Sequence, residues 1–207
     1  MSSKAGSGGR TGRMTSASPP QVRVFGSAAE AQAFGEEMAA SWEASLSDNE
    51  QNTLRMYKRV SENLNRLLRT DAVLPQDMET RRREMDRILR RGKITENITV
   101  YRGINERVVN EVLRPFSVVQ DKGFLSTTGD RTIAQDFANE HGATQRGYIV
   151  SISVRRGSRG MYMDADPQGR REYSGETEFL FPRNSRLRIQ RINDVDRTIE
   201  AILEQEN

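Results

Sequence analysis

The chain has 207 residues, enough for one good-sized domain with a hydrophobic core. With 29% charged residues and a mean hydropathy of -0.75, it has no apolar window long enough to span a membrane. The absence of cysteine excludes disulfides, thiolate catalysis and Cys-ligated metal sites, and the single histidine excludes a centre with several His ligands, so any chemistry must use carboxylates, hydroxyls, arginines and the backbone.

The beginning of the chain is rich in Gly, Ser, Thr and Pro, with scattered Arg, which predicts a flexible leader over 1–24 and a single domain over 25–207. The leader lacks an apolar stretch, so we expect no secretory signal peptide. It carries four of the 32 basic residues and none of the 29 acidic ones, which leaves 28 minus 29, or -1, for the domain. A nearly neutral domain does not favour nucleic-acid binding.

Three helices are predicted in the first half. Ser27 stands three residues before Glu30 as in a capping box, and the first helix then buries an apolar stripe at Phe34, Met38, Trp42 and Leu46. A second capping box at Ser47 opens a helix that ends near Thr70, and a third helix over about 76–91 ends at Gly92. The basic residues of the third helix alternate with acidic ones, which is typical of a solvated face.

Short β-branched and aromatic segments begin at Ile98 and predict strands. The segments are ITVYRG (98–103), GFLSTT (123–128), GYIVSISV (147–154), MYM (161–163), TEFLF (177–181) and LRIQRI (187–192). We expect the last two to pair as a hairpin around the PRNS turn, whereas 197–205 fits helix or strand equally. The sequence therefore predicts an α+β fold, with an N-terminal helical layer followed by a mostly antiparallel β-core of two packed sheets.

Two helices are predicted between these strands. Asn105 can cap a short helix through Leu113, and Asp130 can cap another that ends at Gly142. The periodicity of the second helix places Ile133 and Phe137 on its inward face.

Polar residues mark the ends of three predicted strands: Arg102, the Ser126-Thr127-Thr128 hydroxyls, and the Glu176/Glu178 pair. Each has an ordinary alternative, as an edge arginine, a strand end or a solvated strand start. Together they form a coherent site, since an arginine fork suits a phosphate, a hydroxyl can fix a carboxylate rotamer, and a carboxylate can stabilise a cationic sugar. In a strand, Glu176 and Glu178 would share one face.

These motifs, in this order, resemble the Arg-Ser-Glu signature of the ADP-ribosyltransferase toxins. The resemblance is greatest to the arginine-modifying branch typified by iota toxin and VIP2, and it extends to the segments SWEASLSDNEQNTLRMYKRVSENLNRLLR and FLFPRNSRLRI, covering about 25–195. This sequence departs from the family pattern at two positions. Ser61 stands where a tyrosine is usual, with Tyr57 as a candidate replacement, and Thr128 stands where a serine is usual.

The resemblance implies a role for each matching residue. Glu178 would stabilise the oxocarbenium ion, Glu176 would engage the acceptor guanidinium, and Tyr173 would help to recognise the protein substrate. The residues that would bind NAD or orient the catalytic glutamate are Arg102, Gly103, Ser126, Thr127, Asn65, Arg69 and Phe137. Phe137 keeps the alternative of a core residue.

The implied activity is transfer of ADP-ribose from NAD to an arginine of a target protein, without a metal, by a bacterial toxin or effector. We expect it to act in the cytoplasm of a target or host cell, delivered by a secretion system or a phage, with an immunity or inhibitor protein in the producer. The alternatives are an NAD glycohydrolase and a non-catalytic binding module.

Overall fold

A computed structural model describes residues 21–106, 109, 113–139, 147–164 and 175–205. The helices are α1 (Ala28–Glu43), α2 (Asp48–Arg69), α3 (Gln76–Leu89) and α4 (Arg131–Asn139). The strands are β1 (Ile98–Ile104), β2 (Val118–Asp121), β3 (Leu125–Thr128), β4 (Tyr148–Val154), β5 (Met161–Tyr162), β6 (Glu178–Phe181), β7 (Ser185–Asn193) and β8 (Thr198–Glu204). The α+β class, with helices first and a mostly antiparallel sheet after them, is confirmed.

The helix starts follow the capping signals of the sequence. At α2 the box is complete, because the Ser47 hydroxyl accepts from the Glu50 amide while the Glu50 carboxylate accepts from the Ser47 amide. At α1 the Ser27 hydroxyl accepts from the Glu30 amide, but the Glu30 carboxylate binds the amide of Gly26 instead. The third helix begins after Pro75 without a side-chain cap and ends two residues before its predicted end.

The eight strands form one sheet in the order β2-β7-β8-β4-β1-β3-β6-β5, antiparallel except for the β4–β8 pair. Its two parts, β2-β7-β8-β4-β1 and β3-β6-β5, meet through a single pair, Tyr101 with Thr128. The two expected sheets are thus two parts of one sheet with a narrow junction. Arg102 of β1 and Ser126 of β3 meet at this junction, where the Arg102 guanidinium donates to the Ser126 carbonyl at 3.4 Å.

The predicted hairpin of β6 with β7 is wrong. The sixth strand pairs with β3 and β5, whereas β7 pairs with β2 and β8. Between them, Pro182 has no N–H to continue a ladder and Asn184 has φ +64, so the chain turns away from β6. The segment 197–205, whose periodicity fits helix or strand, contains strand β8, and β2 is a strand that the sequence pattern does not predict.

An aromatic cluster under β6 fixes the strand that carries Glu178. The Phe179 ring lies 5.1 Å from Tyr162, 6.0 Å from Phe25 and 6.2 Å from Phe34, between ring centroids, and all four side chains are buried. Burying each such ring contributes roughly 1.5–3 kcal/mol. The first residue of β6 is therefore held firmly against α1 and β5.

The end of the predicted leader contacts the sheet. Arg23 donates its amide N–H to the carbonyl of Asn97, and its own carbonyl accepts from Thr99. Residues 21–24, which composition assigns to the leader, are thus attached to the start of β1, while 1–20 lie outside the described residues.

Candidate active site

A cleft of about 530 Å³ opens between α2, the junction of β1 with β3, and α4. Nine of the ten predicted site residues line it: Asn65, Arg69, Arg102, Gly103, Ser126, Thr127, Phe137, Glu176 and Glu178. The tenth, Tyr173, lies outside the described residues, as do most of the predicted 105–113 helix and Gly142. The fold therefore assembles the nine described residues from five separate elements, α2, β1, β3, α4 and β6, and from the loop before β6.

Glu178 is the first residue of β6 and is 8% exposed. The Ser126 hydroxyl, on the neighbouring strand β3, donates to its Oε1 at 2.6 Å and fixes one carboxylate rotamer. Burial raises the pKa of Glu178, and this effect is opposed by the Lys58 ammonium and by the Ser126 hydrogen bond. The carboxylate is therefore oriented, and it lies where water screens it poorly.

Glu176 lies on an irregular segment rather than on the strand. The predicted shared strand face is wrong, since β6 begins only at Glu178 and Thr177 has φ +46, a rare value for a β-branched residue. The Thr128 hydroxyl holds this turn by donating to the Glu176 carbonyl at 2.7 Å and by bonding the Thr177 hydroxyl at 2.8 Å. Glu176 still lines the cleft, as an exposed side chain beside the buried Glu178.

Two arginines in another part of the cleft wall share one aspartate, Asp121. Arg102 donates to Asp121 Oδ2 at 3.2 Å, and Arg69 donates to both Asp121 oxygens at 2.9 and 3.0 Å. Burial lowers the pKa of the Arg102 guanidinium while Asp121 raises it, and arginine stays charged in either case. Two guanidinium groups sharing one carboxylate leave a net positive charge, which suits a phosphate-bearing ligand.

Asn65 and Thr127 also bind parts of the protein. The buried Asn65 amide donates to the Tyr57 hydroxyl at 3.0 Å and accepts from the Phe124 amide at 2.8 Å, so it ties α2 to the start of β3. The Thr127 hydroxyl donates to the Phe179 carbonyl at 2.8 Å, next to Glu178. Their predicted contacts with NAD remain predictions.

Helix α4 presents Phe137 to the cleft rather than to the core. Its buried residues are Ala134 and Ala138, whereas Ile133 is only partly buried and Phe137 is 44% exposed. The inward stripe predicted for Ile133 and Phe137 is therefore wrong. Small residues face the sheet because α4 lies against the backbone of Gly103, where larger side chains would not fit.

Residues 31–207 match the family described as ADP-ribosyltransferase exoenzyme. The chain belongs to this family. It is 23% identical over 158 residues to the NAD(+)--arginine ADP-ribosyltransferase EFV of Enterococcus faecalis, an overlap that covers 74% of this chain and 31% of that protein. The chain thus spans about a third of the length of this curated relative.

Solved exoenzyme structures have the same fold. The C3 exoenzyme of Clostridium limosum superposes with a TM-score of 0.73 at 23% identity, covering 89% of this chain and 98% of that one. The C3stau2 structure from S. aureus with NAD gives a TM-score of 0.73 at 17% identity, covering 90% and 100%. At these identities the likeness establishes the fold, and the functional argument depends on the site.

Five charged residues of this exoenzyme site are not predicted from the sequence. Glu62 and Arg66 line the cleft, whereas Asp121, Lys58 and Asp164 contact Arg102 or Glu178. Asp121 ends strand β2, whose sequence signal is the run Val118-Val119. Lys58 and Asp164 form an ion pair next to Glu178 but lie 106 residues apart in the chain. Local sequence pattern carries no information about such a pair.

Within 21–106, 109, 113–139, 147–164 and 175–205 there is no group of three or more His, Cys, Asp or Glu side chains able to hold a metal ion. No helix in the same part of the chain is long and apolar enough to cross a membrane.

Replacing Gly103 by Ala is expected to destabilise the protein by about 1–3 kcal/mol, the usual cost of overpacking. A Cβ at this position would lie 2.2 Å from the Ala134 carbonyl oxygen and 2.5 Å from the Ala138 nitrogen, so α4 would have to move and take Phe137 with it. Urea unfolding measures the loss. Gly26→Ala is the matched control, because its Cβ would meet an ordinary 3.5 Å contact. Equal stability of the two variants would contradict the close approach.

Proposed function

We propose that this protein is a mono-ADP-ribosyltransferase that transfers ADP-ribose from NAD to an arginine of a target protein. Family membership supports the reaction class. The observation that carries the proposal is the pair of carboxylates at one cleft, with Glu178 buried and held by Ser126 and Glu176 exposed beside it. A buried carboxylate suits a reacting sugar, and an exposed one suits an acceptor on another protein.

The first chemical step breaks the bond between C1′ of the ribose and the nicotinamide nitrogen. Nicotinamide leaves as a neutral molecule with the bonding electron pair, and positive charge develops on the ribose. A carboxylate close to that sugar helps most in the transition state, where the charge is greatest. We assign this role to Glu178, whose orientation by Ser126 leaves little to reorganise during the reaction.

The second step forms a bond between an arginine nitrogen of the target and C1′, and one proton is released. Arginine remains protonated in water and is a poor nucleophile. A carboxylate that binds the guanidinium and accepts its proton as the bond forms removes this obstacle. The exposure of Glu176 at the cleft supports this role.

We assign the binding of NAD to the rest of the cleft. Arg102 and Arg69 would bind the phosphates, since together they exceed the charge of Asp121. The backbone of Gly103, the Thr127 region and the exposed ring of Phe137 would contact nicotinamide, with Asn65 fixing the wall between them. Tyr173, outside the described residues, is proposed to contact the protein substrate.

The carboxylate at position 176 also supports membership of the arginine-modifying branch that iota toxin and VIP2 typify. Gln at this position, typical of branches that modify other side chains, could bind an acceptor but could not take its proton at neutral pH. We therefore propose a target protein with an accessible arginine, and an immunity protein in the producing cell. Equal growth of cells expressing wild type or Glu178→Ala, without any partner, would contradict toxicity.

Glu176→Gln is expected to abolish protein labelling while nicotinamide release persists, because water still can attack the sugar when the acceptor base is lost. The experiment incubates labelled NAD with lysates and compares wild type, Glu176→Gln and Glu178→Ala. A band that is lost in both variants establishes the transferase and identifies its target. Nicotinamide release without any labelled protein would indicate a glycohydrolase, and no NAD consumption by wild type would refute both enzymatic functions.

A further inference from the structure

A buried ion pair lies next to Glu178. Lys58, on α2, contacts Asp164, which follows β5, and the two side chains are 7% and 3% exposed. Neither residue is among those that line the cleft in the described part of the chain. We therefore expect a role of this ion pair that does not depend on contact with a ligand in the cleft.

Both members of the pair also contact Glu178. The Lys58 ammonium nitrogen lies 3.6 Å from Glu178 Oε2, while Ser126 occupies Oε1. Asp164 pairs with Lys58 through Oδ1, and its Oδ2 accepts the Glu178 amide N–H at 3.0 Å. One aspartate thus fixes both the backbone of the glutamate and the cation that faces its side chain.

A purely structural connection between α2 and β5 would need only the Lys58–Asp164 contact. Burying two carboxylates, Asp164 and Glu178, next to each other is costly unless a cation lies between them, because the low local dielectric favours protonation of one. The Lys58 ammonium contacts both. This arrangement is the one expected if the Glu178 carboxylate has to remain negatively charged while buried.

We propose that Lys58, held in place by Asp164, is a positioning residue that keeps Glu178 ionised and oriented for the transfer reaction. The inference rests on the proposed function, since that function requires Glu178 to act as an anion toward a cationic sugar. Lys58 acts through Glu178 and need not touch NAD itself.

The other groups around Glu178 define what removal of Lys58 would do. Burial, Asp164 and Glu176 raise the pKa of Glu178, whereas Lys58 and Ser126 lower it. Among the described residues, the groups that act on Glu178 are Lys58 and the buried Tyr57 of α2, Ser126 of β3, Asp164 after β5 and Glu176 before β6. Without the Lys58 charge the raising effects dominate, and the carboxylate becomes protonated at a higher pH.

The test compares Lys58→Met, Lys58→Gln and Lys58→Arg by nicotinamide release from saturating NAD between pH 5 and 9. The neutral variants are expected to move the acidic limb of the pH profile upward by about 1–2 pH units, a typical effect of one close opposite charge, and so to lose about 10–100-fold activity at pH values below the wild-type limb. Their activity should approach that of wild type near pH 9. The KM for NAD should change little, and Lys58→Arg should restore the wild-type limb.

Lys58→Gln keeps the experiment informative if Lys58→Met fails to fold, because the glutamine amide can still donate a hydrogen bond to Asp164. The control is Lys122→Met, which removes an exposed lysine from its contact with Asp71 and should leave the profile unchanged. A loss of activity equal at every pH, together with a lower unfolding temperature, would overturn the proposal in favour of a structural role.

A carboxyl titration of Glu178 by NMR in wild type and Lys58→Gln separates this proposal from the proposed function. A higher pKa of Glu178 in Lys58→Gln than in wild type supports the charge interaction between Lys58 and Glu178, whether or not NAD is the substrate. An unchanged pKa refutes that interaction. Absence of nicotinamide release by wild type, with the titration shift present, would refute the transferase while leaving the Lys58 effect on Glu178 in place.

Discussion

Glu178→Gln is expected to reduce nicotinamide release by about 10³-fold, the upper range for removing one preorganised electrostatic contact from an active site. The amide keeps the shape of the side chain and can still accept the Ser126 hydrogen bond, but it carries no negative charge to oppose the charge of the oxocarbenium ion. The loss should appear in kcat, because the interaction is strongest in the transition state. Single-turnover release of nicotinamide measures it directly.

Glu36→Gln on α1 is the matched control, since Glu36 is exposed and only accepts a hydrogen bond from Gln32. Its activity should equal that of wild type. Full activity of Glu178→Gln would refute the assignment of Glu178 and, with it, the proposed mechanism.

The Glu178→Gln variant should be at least as stable as wild type at neutral pH. The folded-state pKa of Glu178 is raised above its ordinary value of 4.5, so the folded protein binds more protons than the unfolded chain between these two values. The free energy of unfolding of wild type therefore falls as pH rises from 4.5 to the folded-state pKa of Glu178, and it stays lowered above that pKa. A glutamine at this position does not ionise, so the variant does not lose stability in this way. A thermal unfolding series from pH 4 to pH 8 should show the variant gaining on wild type as pH rises.

Much of the helical layer follows from local sequence signals. The Ser47–Glu50 capping box and the stripe ending in Trp42 and Leu46 predict α1 and α2 because caps and periodicity act within a few residues. The family and the cleft residues could be predicted as well, because the Arg, Ser and Glu motifs in this order resemble the signature of the ADP-ribosyltransferase toxins. The nine that lie within the described residues line one cleft, while their roles stay predictions.

Non-local pairing explains most of what the sequence did not predict. Strand β7 carries an alternating pattern that suits either β6 or β8 as partner, but the chain turns away from β6 at Asn184, whose amide donates to the distant Asp121 carbonyl at 2.7 Å. Phe137 fits the inward periodicity of α4, but the close approach of Gly103 selects Ala134 and Ala138 for the buried face. In both cases a contact distant in sequence overrides a local preference.

The two carboxylates illustrate the same limit within the site. A regular strand predicts Glu176 and Glu178 side by side on one face, whereas Thr177 adopts a positive φ that the Thr128 hydroxyl stabilises. Such a backbone conformation costs of order 1–3 kcal/mol for a non-glycine residue. It separates a buried carboxylate from an exposed one, which is the arrangement that the two proposed chemical steps require.

Arg102→Ala is expected to lower kcat/KM for NAD by about 10–100-fold, mainly by raising KM, because a lost charge-assisted hydrogen bond to a bound phosphate costs about 1.5–3 kcal/mol. Arg102 is 23% exposed and is shared between Asp121 and the Ser126 carbonyl, so the guanidinium is already oriented before NAD binds. Lysine should restore only part of the affinity, since a point charge cannot reproduce the planar fork. Isothermal titration with NAD separates binding from chemistry.

Arg188→Ala provides the control for Arg102, because Arg188 forms an exposed ion pair with Glu204 on the other part of the sheet and should not affect NAD binding. An unchanged affinity for NAD in Arg102→Ala would contradict the phosphate assignment and leave Arg69 as its candidate. A loss confined to kcat, with binding intact, would instead place Arg102 next to the reacting ribose. A rise in KM would thus place the pyrophosphate of NAD at Arg102. The ribose would then have to reach Glu178 from that end of the cleft.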